Sequence, residues 1–229
     1  MEQVPFGPTS FPDNPEPRCP SLLLLDVSGS MSGQPIAELQ EGLSVYKDEL
    51  AADELAKKRV EVAIITFGGS VTVLQDFATV DSFVVPKLAA TGETPMGQAV
   101  VTGLSLLDER KKQYRAGGIL YFRPWVFLIT DGAPTDDHTE VWNDVVRAVG
   151  EGEERRGFSF FAVGVEGANM EILKRLSPKR QPVKLKGLRF RDLFVWLSAS
   201  QQSVSRSNPG DSVPLTNPIG PVGWGEVPG

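Results

Sequence analysis

Leu22-Leu23-Leu24-Leu25-Asp26-Val27-Ser28-Gly29-Ser30 reads as a buried strand that runs out onto a carboxylate and two hydroxyls. A short apolar run bounded by polar residues suits a strand covered on both faces, as in a parallel sheet. The loop after it presents Asp26, Ser28 and Ser30 within five residues. Hard divalent cations take oxygen ligands, and Mg²⁺ accepts a near-octahedral set with one or two carboxylates. Two later segments offer further oxygens: Thr94 in Gly92-Glu93-Thr94-Pro95-Met96-Gly97, and Asp131 in Trp125-Val126-Phe127-Leu128-Ile129-Thr130-Asp131-Gly132. The expected metal set is therefore Asp26, Ser28, Ser30, Thr94 and Asp131.

Outward from this stretch, runs 60–67, 126–129 and 158–165 are also short, bounded and rich in β-formers. Residues 70–77 read as a hairpin partner of 60–67 across Gly68-Gly69, a dipeptide suited to a tight turn. Ile36, Leu39, Leu43, Tyr46 and Leu50 recur at helical spacing, as do Val100, Leu104 and Leu107, then Trp142, Val145, Val146 and Val149. Further helices are expected over 169–176 and 191–201, flanking a short strand at 183–186. Strands alternating with helices imply an α/β fold: a doubly wound, mostly parallel central sheet of about six strands, one antiparallel edge strand, and helices on both faces. Ligands of such sheets bind beyond the carboxyl ends of the strands, where Asp26 and Asp131 both fall.

The domain is expected over 19–201. Residues 1–18 carry Pro5, Pro8, Pro12, Pro15 and Pro17 and read as an extended lead-in. Residues 202–229 form a Pro/Gly/Ser-rich tail expected to lack regular structure, although its Trp224 is free to dock on the domain. The tail could also serve a polyproline-reading partner, yet no basic-flanked PxxP stands out.

At 229 residues and 41% hydrophobic content the chain can bury one sizeable core. A formal charge of −6 argues against nucleic acid or anionic lipid as partner. No run approaches a membrane span and no signal pattern opens the chain, so a cytoplasmic location is expected. One Cys and one His cannot make a structural zinc site; Cys19 reads as a small apolar residue leading into the first strand.

The three segments, in this order and on these elements, closely resemble the metal-ion-dependent adhesion site of the von Willebrand factor A domain family over about residues 20–200. The resemblance implies a Rossmann-like fold in which Ser28, Ser30 and Thr94 place hydroxyls on Mg²⁺ or Mn²⁺, with Ca²⁺ as a further option. Asp26 and Asp131 would act directly or through water. It implies a non-catalytic module that recognises an acidic group of a protein partner through the ion, with Thr94 as the switch element. Ser28-Gly29-Ser30-Met31-Ser32-Gly33-Gln34-Pro35-Ile36, Thr130-Asp131-Gly132-Ala133-Pro134-Thr135-Asp136 and Leu193-Phe194-Val195-Trp196-Leu197-Ser198 look like the TerY-type branch named for tellurium-resistance clusters. That likeness implies a cytoplasmic module acting beside a PP2C-type phosphatase and a protein kinase.

Taken singly, Asp26 suits a helix cap or strand-end turn and Asp131-Gly132 an ordinary turn; their conjunction with Thr94 favours the site. Glu93, Met31, Asp136, Arg189 and Arg191 are candidate partner contacts, though acids in such loops are more often simply solvated and a Met such as Met31 more often packs at the rim or in the core. The run 174–191 holds eight Lys and Arg and no acid, a polarised surface or simply a solvated face. The competing reading is a Mg²⁺-dependent hydrolase or phosphatase. Phosphotransferases with an Asp-first motif place a second acid two residues after the nucleophile, where this chain has Ser28. His138 has no triad partner legible in sequence and is expected to open a helix.

Overall fold

A computed structural model of the chain describes residues 14–220 and 223–226. The expected lead-in falls mostly on residues outside these. Strand β1 (Cys19–Asp26) lies inside the sheet, paired in parallel with β2 (Val60–Gly68) on one side and β4 (Trp125–Thr130) on the other. Beyond β2 runs the antiparallel β3 (Ser70–Thr79), joined through Gly69 at φ +69°. Beyond β4 come β5 (Ser159–Gly164), β6 (Val183–Leu185) and β7 (Gly225–Glu226). The order is β3-β2-β1-β4-β5-β6-β7. The winding therefore reverses at β1, and the crevice between the carboxyl ends of β1 and β4 is the natural ligand position.

Alternation along β1 divides the core. Leu23 and Leu25 face α1 (Gln34–Ala51) and α6 (Phe190–Ser205), meeting Leu39, Leu43, Phe194 and Leu197. Leu22 and Leu24 face α3 (Met96–Ala116), α4 (Glu140–Glu154) and α5 (Met170–Leu176), meeting Val100, Trp142 and Leu173. A four-leucine run is thus what a strand buried on both faces requires. A Cβ on Gly42 would lie 2.6 Å from the Phe194 ring, so glycine there lets α1 and α6 approach closely. A short α2 (Ala56–Arg59), not expected from sequence, precedes β2.

At the amino ends of the strands, buried Glu61 accepts from Arg18 Nε at 3.0 Å, Arg110 Nε at 2.8 Å and the Tyr114 hydroxyl at 2.5 Å. This network joins the approach to β1, the start of β2 and the end of α3 on the side opposite the crevice.

The tail differs from expectation. The sheet has seven strands rather than about six, and both edges are antiparallel, because β7 pairs with β6 through Lys184↔Glu226 and Leu185↔Gly225. Trp224 is 4% exposed, and its carbonyl accepts from Lys186 N at 2.9 Å. Burial of that indole fixes a segment whose two strand residues carry no β-forming side chain. Among the described residues no helix is long and apolar enough to cross a membrane.

Candidate functional site

Asp26 ends β1 with no exposed surface, and both its oxygens are held. Oδ1 accepts from Ser28 N at 2.8 Å, which turns the chain sharply out of the strand. Oδ2 accepts from Thr130 Oγ1 at 2.5 Å, from the end of β4. Ser28 Oγ lies 3.0 Å from Ser30 Oγ, and Ser30 Oγ donates to Asp131 Oδ1 at 2.7 Å. Ser28 thus links the two carboxylates, its backbone N on Asp26 and its hydroxyl on Ser30, which in turn donates to Asp131.

Thr94 arrives from the loop before α3. A Cβ built on Gly132 would lie 3.5 Å from Thr94 Oγ1 and 3.9 Å from Ser30 Oγ, so both hydroxyls border the same spot beside Asp131. The loop is positioned by backbone bonds: Gly29 N to Gly92 O at 2.9 Å, Gly69 N to Glu93 O at 2.7 Å and Thr135 N to Thr94 O at 2.9 Å. Gly92 sits at φ +68° with its Cα side against Gly69, where a Cβ would come within 2.5 Å. Only glycine allows the two loops to cross there.

Ser28, Thr94 and Asp131 are buried, whereas Ser30 is exposed, so the set opens to solvent at one point. Burial pushes the Asp26 carboxyl above its ordinary value; the bonds from Ser28 and Thr130 oppose the rise, and the negative Asp131 adds to it. A buried carboxylate beside a second one is unfavourable without a compensating positive charge. Two carboxylates and three hydroxyls suit a hard divalent cation, with a donor count and charge closer to Mg²⁺ or Mn²⁺ than to Zn²⁺. Among the described residues no three His, Cys, Asp or Glu side chains gather into a denser cluster.

The five expected ligands therefore converge. The candidate partner contacts scatter. Glu93 is exposed on the loop beside Thr94. Met31 is instead fully buried within the core shared with α1 and α6, so packing is its role in this state and it offers a partner no surface. Asp136 reaches the start of α3, where its carboxylate accepts from Gly97 N at 3.1 Å and Gln98 N at 2.9 Å, a cap on that helix. Arg189 donates to Asp192 at 2.5 Å and to the Gly223 carbonyl at 3.1 Å, and Arg191 lies 3.6 Å from Glu41. These two follow β6, three strand positions from β1, or about 14 Å at ordinary spacing. The basic run is largely engaged within the chain, Arg180 with Glu153 and Lys184 with Glu226. His138 stands exposed just ahead of α4, which begins at Glu140.

Thr130 is the residue that sequence reading passed over. Its signal was a hydroxyl closing an otherwise apolar buried strand, immediately before Asp131.

The molecule is similar in fold to a D319A mutant of the PilB minor pilin from Streptococcus sanguinis, with TM-score 0.58 and 12% identity over 85% of this chain and 64% of that one. It is also similar to manganese-loaded TRAP protein from Plasmodium vivax, with TM-score 0.55 and 17% identity over 79% and 73%. The pilus adhesin SpaC from Lactobacillus rhamnosus GG gives TM-score 0.64 and 12% identity over 82% and 30%. The chain thus spans less than two thirds of the PilB and SpaC chains it matches. No curated protein sequence matches it. The von Willebrand factor type A domain profile, however, matches residues 22–189, from the first core leucine through all five convergent oxygen donors, and the chain belongs to that family.

Proposed function

We propose that the protein is a non-catalytic recognition module that binds a divalent cation through Asp26, Ser28, Ser30, Thr94 and Asp131 and engages an acidic group of a protein partner there. The observation that carries this reading is the hydrogen-bonded run from Asp26 through Ser28 and Ser30 to Asp131, with the Thr94 hydroxyl beside it. Mg²⁺ is the preferred ion, Mn²⁺ its substitute and Ca²⁺ a third option; the manganese named with the TRAP neighbour supports the class. Bound there, the ion supplies a positive centre for an incoming anionic oxygen. Thr130 and Ser28 N fix the Asp26 carboxylate, the loop bonds of Gly92 and Glu93 hold Thr94 in place, and exposed Ser30 marks the open side.

Catalysis is not part of the proposal. Asp26 is wholly buried with both oxygens accepting hydrogen bonds, a poor position for a nucleophile, and Ser28 stands where an Asp-first phosphotransferase needs its second acid. The likeness of residues 28–36, 130–136 and 193–198 to the TerY-type branch extends the reading to a cytoplasmic protein of a tellurium-resistance or stress-response system, with a PP2C-type phosphatase or a protein kinase as partner.

Isothermal titration with Mg²⁺ and Mn²⁺ tests the proposal. The parent should bind one ion per chain, and Thr94→Ala and Asp131→Ala should each weaken binding at least tenfold while leaving the fold intact by circular dichroism. Equal binding by all three proteins would place the ion elsewhere and sink the reading.

A further inference from the structure

Residues 211–218 run without helix or ladder beside α6, beyond the stretch that matches the family profile. Within this strap Val213, Leu215 and Pro218 are half-buried while Pro214, Thr216 and Asn217 face solvent. At its centre Trp196 Nε1, on α6, donates to the Thr216 carbonyl at 2.7 Å. Trp224 lies edge-on to Trp196, with ring centroids 5.6 Å apart. Proline-bearing segments dock in aromatic-lined grooves. The Trp196 indole N–H here holds a carbonyl that lies between Pro214 and Pro218 of the chain's own strap.

The strap underfills its seat. Two cavities of about 370 Å³ and 250 Å³ flank it, and Trp196, Leu215, Thr216 and Trp224 line both. The Trp224 Nε1 is buried and has no hydrogen-bond partner among the described residues. A buried donor left open is unfavourable, and a further peptide carbonyl would satisfy it. The smaller cavity is walled by Phe127 and Phe161, an apolar surface of the kind that proline rings cover well.

We propose that the face formed by Trp196 and Trp224 is a docking surface for extended proline-rich segments of a partner protein, occupied in cis by Pro214–Pro218 and opened when the strap leaves. The strap then acts as a tethered competitor. Tethering gives it an effective concentration on the order of millimolar, so a free peptide meets a weakened surface until the strap is loosened. This surface lies on α6 and the tail, and the proposal does not depend on ion binding.

The probe is a fluorescein-labelled peptide copying residues 208–220, with unlabelled decaproline as competitor. Binding is measured by fluorescence anisotropy to the parent chain, to a full-length Leu215→Ser/Pro218→Gly variant, and to that variant carrying Trp196→Phe in addition. The double variant should bind the probe at least tenfold more tightly than the parent, decaproline should displace it, and Trp196→Phe should remove most of the gain. Equal affinity for parent and loosened protein would overturn the proposal. So would binding that decaproline cannot displace, since the surface would then read its own sequence and not proline. Should the variants fold poorly, the parent keeps the test decisive: millimolar decaproline should shift the Trp196 and Trp224 indole N–H resonances and leave that of Trp142, in the opposite core layer, unmoved. Unmoved resonances at all four tryptophans would refute it.

Discussion

Replacing Thr130 with valine deletes one hydroxyl from a buried position and leaves shape almost unchanged. Asp26 Oδ2 then loses its donor at 2.5 Å and has no solvent to replace it, since Asp26 has no exposed surface. A hydrogen bond to a charged group contributes about 1.5–3 kcal/mol, which for a chain of this size lowers the melting temperature by roughly 3–12 °C. The loss depends on pH, with a definite sign. Burial already raises the Asp26 carboxyl above its ordinary value, so the folded state holds that proton more tightly than the unfolded one, and stability falls as pH rises from the ordinary carboxylate range through the raised value. Without the Thr130 donor the raised value climbs further. The gap between parent and Thr130→Val should therefore be largest at neutral and alkaline pH and shrink as acid protonates Asp26 in both proteins. Urea denaturation from pH 4 to 8, in EDTA, measures it. A gap below about 0.5 kcal/mol at pH 8, or one that widens in acid, would refute the assignment of Thr130 as the carboxylate's anchor. On the proposed function the same variant should also bind Mn²⁺ about 10–100-fold more weakly, the usual effect of losing a group that orients a metal ligand.

Glu61→Gln should lower stability by about 3–5 kcal/mol in urea denaturation, because it leaves Arg18, 3% exposed at its side chain, facing a neutral group. Gly42→Ala should lower it by about 1–3 kcal/mol through overpacking, since the new methyl meets the Phe194 ring at 2.6 Å; a change under about 0.3 kcal/mol would mean that α1 and α6 separate freely. Asp136→Ala removes the acceptor at the start of α3 and should lower thermal stability by about 0.5–2 kcal/mol, with amide exchange rising first at Gly97 and Gln98.

The sheet was legible because its strands obey a strong rule. Residues 22–25 must serve two apolar layers at once, and only a run without polar interruption does that. The placement of the candidate donors was legible for a related reason: Asp26 directly follows such a run and Asp131 follows one closed by Thr130, so strand ends and carboxylates are located together. Thr94 needed its Gly-flanked loop and the family likeness. What escaped was fixed by partners distant in sequence. Gly225-Glu226 carries no strand signal of its own and becomes β7 because Trp224 is buried and Lys184 and Leu185 offer an unpaired edge. Asp136 looked like a rim acid, yet its carboxylate lies on α3 amides 38 and 39 positions earlier. Met31 sits between hydroxyl-bearing loop residues, and only the packing of α1 and α6 draws it inward.

The two ends of the sheet are held by different chemistry, and this bears on how the site can work. At the amino ends buried Glu61 binds Arg18, Tyr114 and the half-buried Arg110, an arrangement in which removing any member strands a charge or a polar group. At the carboxyl ends the loops carrying Ser30, Thr94 and Asp131 are tied by backbone bonds such as Gly29 N to Gly92 O, Gly69 N to Glu93 O and Thr91 N to Val27 O, and by the single side-chain bond from Ser30 to Asp131. Glycine offers no side chain to lock such a crossing, so these loops resist displacement less than the far end does. Asp26 alone among the five donors is anchored from two strands and wholly buried. On the proposed function, Asp26 is a fixed carboxylate beneath four donors carried on loops, and those loops, not the sheet, would adjust to an incoming ion. On that same reading, loss of the Asp26–Thr130 contact should therefore weaken ion binding as much as loss of an outer donor such as Thr94 although Thr130 is not a ligand, and changes at Glu93 on the rim should alter partner choice far more than ion binding.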